Sequence, residues 1–137
     1  MSEPGTTNEK TTVRGVIVGH GDMAQGLVDA VRRIAGEAAN ALQAVSNEGK
    51  GPEVLRRDVD SAAGEGPTIV FVDLQTGSCG AAAAYACRGD RSRAVICGVN
   101  LPMLLDFVFH RDLALDPLAT RLVENGRAAI RIAPSVG

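Results

Sequence analysis

The stretch Val13-Arg14-Gly15-Val16-Ile17-Val18-Gly19-His20-Gly21-Asp22 decides how this chain is read. A β-branched apolar run breaks into glycines and a helix-capping residue, which marks a strand running into a helix. Asp22 stands at the expected cap, and Gln25 completes a box-like pattern. Leu27, Val28, Val31 and Ile34 then recur at helical spacing up to Gly36, a plausible stop. In open α/β sheets the strand-to-helix turn lies at the carboxyl edge, where ligands and chemistry gather. Glycine on both sides leaves the His20 imidazole unshielded by neighbouring side chains. His20 is the leading candidate for a reactive group.

Outward from that stretch the alternation of strand and helix continues. Ala41 to Val45 is a weak strand, since alanine is a poor strand former. Pro52 suits a first helical position, and Leu55, Val59 and Ala62 give that helix an apolar stripe ending near Gly64. Thr68-Ile69-Val70-Phe71-Val72 is apolar almost throughout and suits the centre of a parallel sheet covered on both faces. The polar turn Asp73-Leu74-Gln75-Thr76-Gly77-Ser78 leads into an alanine-rich helix from Gly80 to Cys87. Ala94 to Cys97 is a fourth strand, and Gly98-Val99-Asn100-Leu101-Pro102 turns into a helix with Met103, Leu104, Phe107 and Val108. Asp116-Pro117 starts another helix with Gly126 at its end, and Ala128 to Ile132 is a last, mostly apolar strand. Such alternation predicts an α/β fold with a doubly wound, mostly parallel sheet flanked by helices. Residues 1–11 are polar and expected to be a mobile tail, leaving residues 12–137 as one domain.

Composition narrows the function classes. The chain has 137 residues, 45% of them apolar and 22% charged, which fits a globular domain with a real core. Aromatics are only 3%, with no Trp, and the net charge is −2. Nucleic-acid surfaces need stacking aromatics or a basic stripe, so that class is excluded. No apolar stretch approaches the roughly 20 residues of a membrane span. Met1-Ser2-Glu3-Pro4-Gly5 does not read as a signal peptide. Cys79, Cys87 and Cys97 are odd in number and lack CxxC spacing, so neither a disulfide framework nor a structural zinc is expected. The expected compartment is the cytoplasm.

Three loops should meet at one sheet edge: Gly19 to Asp22, Asp73 to Ser78, and Gly98 to Asn100. That would bring His20 and Asp73 together. A carboxylate accepting from one imidazole nitrogen fixes the tautomer and leaves the other lone pair free to attack. Gly77 and Ser78, at a helix N-terminus, can offer N–H groups and a hydroxyl to a phosphoryl group. Gly21 and Thr76 complete the expected phosphate-binding set, with no cofactor and no metal. Nucleophile, orienting acid and anion cradle together describe phosphoryl transfer through phosphohistidine.

The chain resembles the IIA domain of the mannose-type sugar phosphotransferase system (PTS). The resemblance spans nearly everything after the tail. It is carried by Val16-Ile17-Val18-Gly19-His20-Gly21 with Ala24 and Leu27, by Phe71-Val72-Asp73 with Gly77-Ser78, and by Gly98-Val99-Asn100-Leu101-Pro102-Met103-Leu104. It implies that His20 accepts a phosphoryl group from the phosphocarrier HPr and passes it to a histidine on a IIB domain, with Asp73 beside it. It also implies a four-stranded parallel core and a homodimer in which the last strand, Arg127 to Ile132, crosses to the partner and runs antiparallel. The membrane would be reached only through IIC and IID components. Two positions depart from the family pattern: Thr76 stands where a glycine is usual, and Cys79 where proline is usual.

Other readings of these residues stay open. His20 can be surface decoration, Asp73 a turn cap, and Ser78 a helix cap. A regulatory module, whose His20 phosphorylation state controls another protein, would use the same site. So would the phosphocarrier subunit of a dihydroxyacetone kinase. A zinc module of His20, Asp73 and Cys79 lacks dense ligand spacing. A helix N-terminus would lower the Cys79 pKa, though a small packed residue explains it as well. His110 is a helix C-terminal residue with no chemical role. Arg91 and Arg93 are candidates for docking an acidic partner.

Overall fold

The computed structural model describes residues 12–134, so the tail expected over residues 1–11 lies outside the described residues. Four strands form one parallel sheet: β1 (Arg14–Gly19), β2 (Leu42–Ser46), β3 (Thr68–Val72) and β4 (Arg93–Cys97), in spatial order β2-β1-β3-β4. Five α-helices flank it: α1 (Met23–Ala35), α2 (Pro52–Ala63), α3 (Ser78–Cys87), α4 (Leu101–Val108) and α5 (Leu115–Ala128). A 3-10 turn over Gly36–Ala41 joins α1 to β2. Among the described residues no helix is long and apolar enough to cross a membrane.

β1 and β3 are central and fully covered, which is why both are apolar without alternation. Because successive side chains point to opposite faces, each strand feeds two cores. Ile17, Ile69 and Phe71 pack with Val28, Val31, Leu104, Phe107, Leu118 and Leu122 on the side of α1, α4 and α5. Val16, Val18, Val70 and Val72 pack with Leu55, Val59, Ala82 and Ala83 on the side of α2 and α3. Phe71 and Phe107 meet edge to face, with ring centroids 5.2 Å apart. Gly15 is the one strand position where a side chain has no room, because a Cβ would lie 2.7 Å from Leu42 Cδ2 and 2.8 Å from Phe107 Cε2.

Sheet order places the site. The chain winds from β1 outward to β2, then crosses back to β3 and continues to β4, so the direction of winding reverses between β1 and β3. At such a switch point the loops leaving neighbouring strands diverge and open a crevice at their carboxyl ends. The two loops that leave β1 and β3 begin with Gly19-His20 and Asp73.

Several sequence expectations are corrected. Asp22 does not cap α1 with its side chain. Its backbone sits at φ −92°, ψ 7°, not in the extended conformation that aims a capping carboxylate over the first turn. Gln25 instead donates to Asp29 at 3.0 Å. Gly126 does not end α5 but lies buried within it, where a Cβ would come 2.6 Å from Met103 Cε. It is a packing glycine. Ala128 to Ile132 forms no strand among the described residues, because a strand needs a ladder partner and this segment finds none in its own chain. Arg93 is not free to dock a partner. Its guanidinium donates to Asp60 at 2.7 Å, to the Ala86 carbonyl at 2.8 Å and to the Gly64 carbonyl at 2.8 Å. It thereby satisfies carbonyls at the ends of α2 and α3.

Candidate functional site

His20 is the first residue past β1, and Asp73 is the first past β3. Because the strands pair in parallel register, Val18 opposite Val72, the two residues emerge side by side. Asp73 Oδ2 accepts from the His20 backbone N–H at 2.9 Å and lies 2.8 Å from His20 Nδ1. The carboxylate therefore holds both the main chain and the ring of His20. The imidazole side chain is 45% exposed, whereas that of Asp73 is 8% exposed. Burial pushes the Asp73 carboxyl upward, but the hydrogen bonds from the His20 ring, the His20 N–H and the Leu74 N–H outweigh it. The net result is a carboxyl held below its ordinary value. With Asp73 ionised at Nδ1, that nitrogen of the neutral ring is the N–H and the lone pair lies on Nε2.

Nε2 faces the start of α3. Gly77, at φ +94°, precedes the helix, and a Cβ there would stand 3.9 Å from Nε2. The first-turn N–H groups of a helix have no intrahelical acceptor and carry the positive end of its dipole. Gly80 keeps this turn in place. A Cβ at Gly80 would collide with the Gln75 carbonyl, so the loop before α3 folds back onto its first turn only because position 80 is glycine. Gly21, at φ +57°, shapes the turn after His20.

A residue absent from the sequence reasoning completes the arrangement. Asn47, just past β2, accepts from the Gly21 N–H at 3.2 Å through Oδ1 and donates from Nδ2 to Ser78 Oγ at 3.4 Å. Ser46 donates to the Gly21 carbonyl at 2.8 Å. Ser-Asn after a weak strand looks like an ordinary turn, and only the placement of β2 beside β1 gives it a role.

The other expected site residues divide. Gly77 lies against Nε2, Gly21 follows His20 directly in the chain, Ser78 is tied to Asn47, and Thr76 is exposed in the same loop as Gly77 and Ser78. Asn100 is at the same sheet edge but turned away, accepting from Met103 N–H at 3.0 Å and donating to the Gly126 carbonyl at 2.9 Å. It serves α4 and α5. Cys79 is buried, and burial followed by the Asp73 charge pushes its thiol up, overcoming a hydrogen bond from Ser78. The expected lowering by the helix N-terminus is thus reversed by desolvation. His20, Asp73 and Cys79 do bring one ligand atom each within 4.8 Å of one another. As placed, His20 Nδ1 and Asp73 Oδ2 are hydrogen-bonded to each other, with Cys79 buried beside them.

The family model EIIA-man, the PTS system fructose IIA component, matches residues 15–121. Among solved structures, the mannose/sorbose specific IIA subunit from Enterococcus faecalis is 25% identical. It superposes with a TM-score of 0.81 over 92% of this chain and 98% of that one. The phosphotransferase system component EIIA from Streptococcus agalactiae is 21% identical, with a TM-score of 0.81 over 88% of this chain and 96% of that one. A sigma-54 interaction domain protein from Enterococcus faecalis shares the fold at 9% identity, with a TM-score of 0.72 over 88% of this chain and 94% of that one. No curated protein sequence matches the chain.

Proposed function

The chain belongs to the EIIA-man family of PTS IIA components, a phosphocarrier family, and from that premise we propose that His20 Nε2 is the atom that carries the phosphoryl group. The observation that supports this most is the pairing of His20 Nδ1 with Asp73 at 2.8 Å while Nε2 faces the α3 N-terminus. The donor is a phosphohistidine on HPr. The Nε2 lone pair attacks phosphorus in line, the donor's P–N bond breaks, and its electron pair returns to the donor imidazole. The His20 ring becomes positively charged as the new P–N bond forms, and the Asp73 carboxylate stabilises that charge through Nδ1–H. First-turn N–H groups of α3 and the Ser78 hydroxyl receive the equatorial oxygens, with Gly21 and Thr76 lining the approach. Reversal of the same step delivers the group to a histidine on a IIB domain. No nucleotide and no metal enters the balance.

The exposed apolar side chains of Met23 and Leu74 flank the pair and suit docking of a protein donor in the cytoplasm. Dimerisation is part of this proposal. Ile130 and Ile132 are exposed beyond α5, and β4 presents an open sheet edge. A partner's segment 127–132 running antiparallel there would cover both. Incubation with phosphorylated HPr should give acid-labile phosphate on the chain. Label retained in His20→Ala would show the assignment to be wrong.

A further inference from the structure

We propose that Asn47 is a positioning residue for this transfer, acting through the Ser78 hydroxyl; the inference rests on the assignment of His20 above. Asn47 is tied to both active loops from a third one. Its backbone N–H donates to the Gly19 carbonyl at 3.2 Å, Oδ1 accepts from Gly21 N–H at 3.2 Å, and Nδ2 donates to Ser78 Oγ at 3.4 Å. The orientation of its amide is fixed by chemistry. A backbone N–H only donates, so Oδ1 must face Gly21 and the NH2 group must face Ser78.

That orientation decides what the serine does. A hydroxyl has one proton, and when it accepts from Nδ2 its proton turns away from Asn47. Gly77, directly before Ser78, faces His20 Nε2. The competing acceptor nearby, Cys79, is a buried neutral thiol and a weak one. An anionic phosphoryl oxygen is the far better acceptor. Asn47 thus presets Ser78 as a donor, although Asn47 itself does not touch the phosphoryl group. A bond of 3.4 Å is long, as such bonds often are before the reacting group arrives.

Asn47→Ala removes only the side-chain links. The Asn47 N–H bond to Gly19 remains, and Ser46 still holds the Gly21 carbonyl at 2.8 Å, so the turn keeps its anchors. The test is a double-mutant cycle on phosphoryl uptake from phosphorylated HPr, with Asn47→Ala, Ser78→Ala and both together. We expect Asn47→Ala alone to lower kcat about tenfold, with KM for HPr little changed, as for loss of one hydrogen bond worth about 1.4 kcal/mol in the transition state. In the Ser78→Ala background the same change should cost less than about twofold. Equal slowing in both backgrounds, or no slowing in either, overturns the proposal. Label on a residue other than His20, or none on the unsubstituted chain, would instead bring down the assignment of His20 and this inference with it.

Discussion

The molecule contains two histidine–aspartate pairs, and their difference shows why only one of them is proposed as a reaction centre. His20 Nδ1 lies 2.8 Å from Asp73, and His110 Nδ1 lies 3.1 Å from Asp106. The side chains are comparably exposed, and both carboxyls are held below their ordinary value against the opposing effect of burial. Yet the second pair is local. His110 follows Asp106 by one helical turn, its Nδ1 also bonds the Asp106 carbonyl at 2.8 Å, and Asp106 is gripped by Arg121 at 3.0 Å and Asn125 at 2.9 Å. His110 stands past the C-terminal end of α4, where the dipole repels an anion, whereas His20 Nε2 faces the N-terminal end of α3, where it attracts one. The carboxylate sets the tautomer in both. In the proposed mechanism the helix end makes the difference.

Substitutions sharpen this contrast in order of expected size. His20→Ala should abolish phosphoryl uptake while His110→Ala leaves it within about twofold; uptake lost in both would erase the distinction. Next, Asp73→Asn should slow transfer by roughly 100-fold or more, because an amide no longer dictates the Nδ1–H tautomer. Asp106→Asn should leave the rate nearly unchanged and cost about 1 kcal/mol of stability through weakened Arg121 contacts, measured by urea unfolding. Gly77→Ala should slow transfer by about tenfold, since it strains a φ of +94° and puts a methyl 3.9 Å from Nε2. The smallest effect lies in acid. Both aspartates have lowered folded-state pKa values, so their stabilisation is complete above the ordinary value of 3.8 and fades as pH falls through the folded value. The stability gaps between the unsubstituted chain and both Asp→Asn variants should therefore close together below about pH 4. A gap that persists for Asp73 alone would mean that its hydrogen bonds survive protonation.

Much of this is legible in the sequence alone. The apolar runs of β1 and β3 declared themselves because strands covered on both faces need no polar alternation, and the His20–Asp73 pair follows once those strands are adjacent. Pro52, Gly36 and Gly64 mark helix ends where the pattern places them. Asn47 was not legible, because its partners lie in loops far from it in sequence. Gly80 and Gly126 read as helix punctuation, yet each is glycine because another segment passes too close for a Cβ. Arg93 read as a surface charge, yet its side chain is 9% exposed and satisfies carbonyls of two helix ends. Cys79 reads as a small packed residue with a thiol lowered by the helix N-terminus; it is packed, but desolvation reverses the direction of the shift.

The division has one physical cause. Periodicity, turn chemistry and the residue types at strand ends are properties of neighbours along the chain, so the sequence by itself determined the α/β alternation and the identity of the candidate nucleophile and its acid. Close approach, desolvation and hydrogen bonds between loops depend on which segments the sheet order β2-β1-β3-β4 sets side by side. Only the tertiary structure could decide that Nε2 faces α3, that Cys79 stays a buried thiol, and that a third loop holds Gly21 and Ser78 through one asparagine.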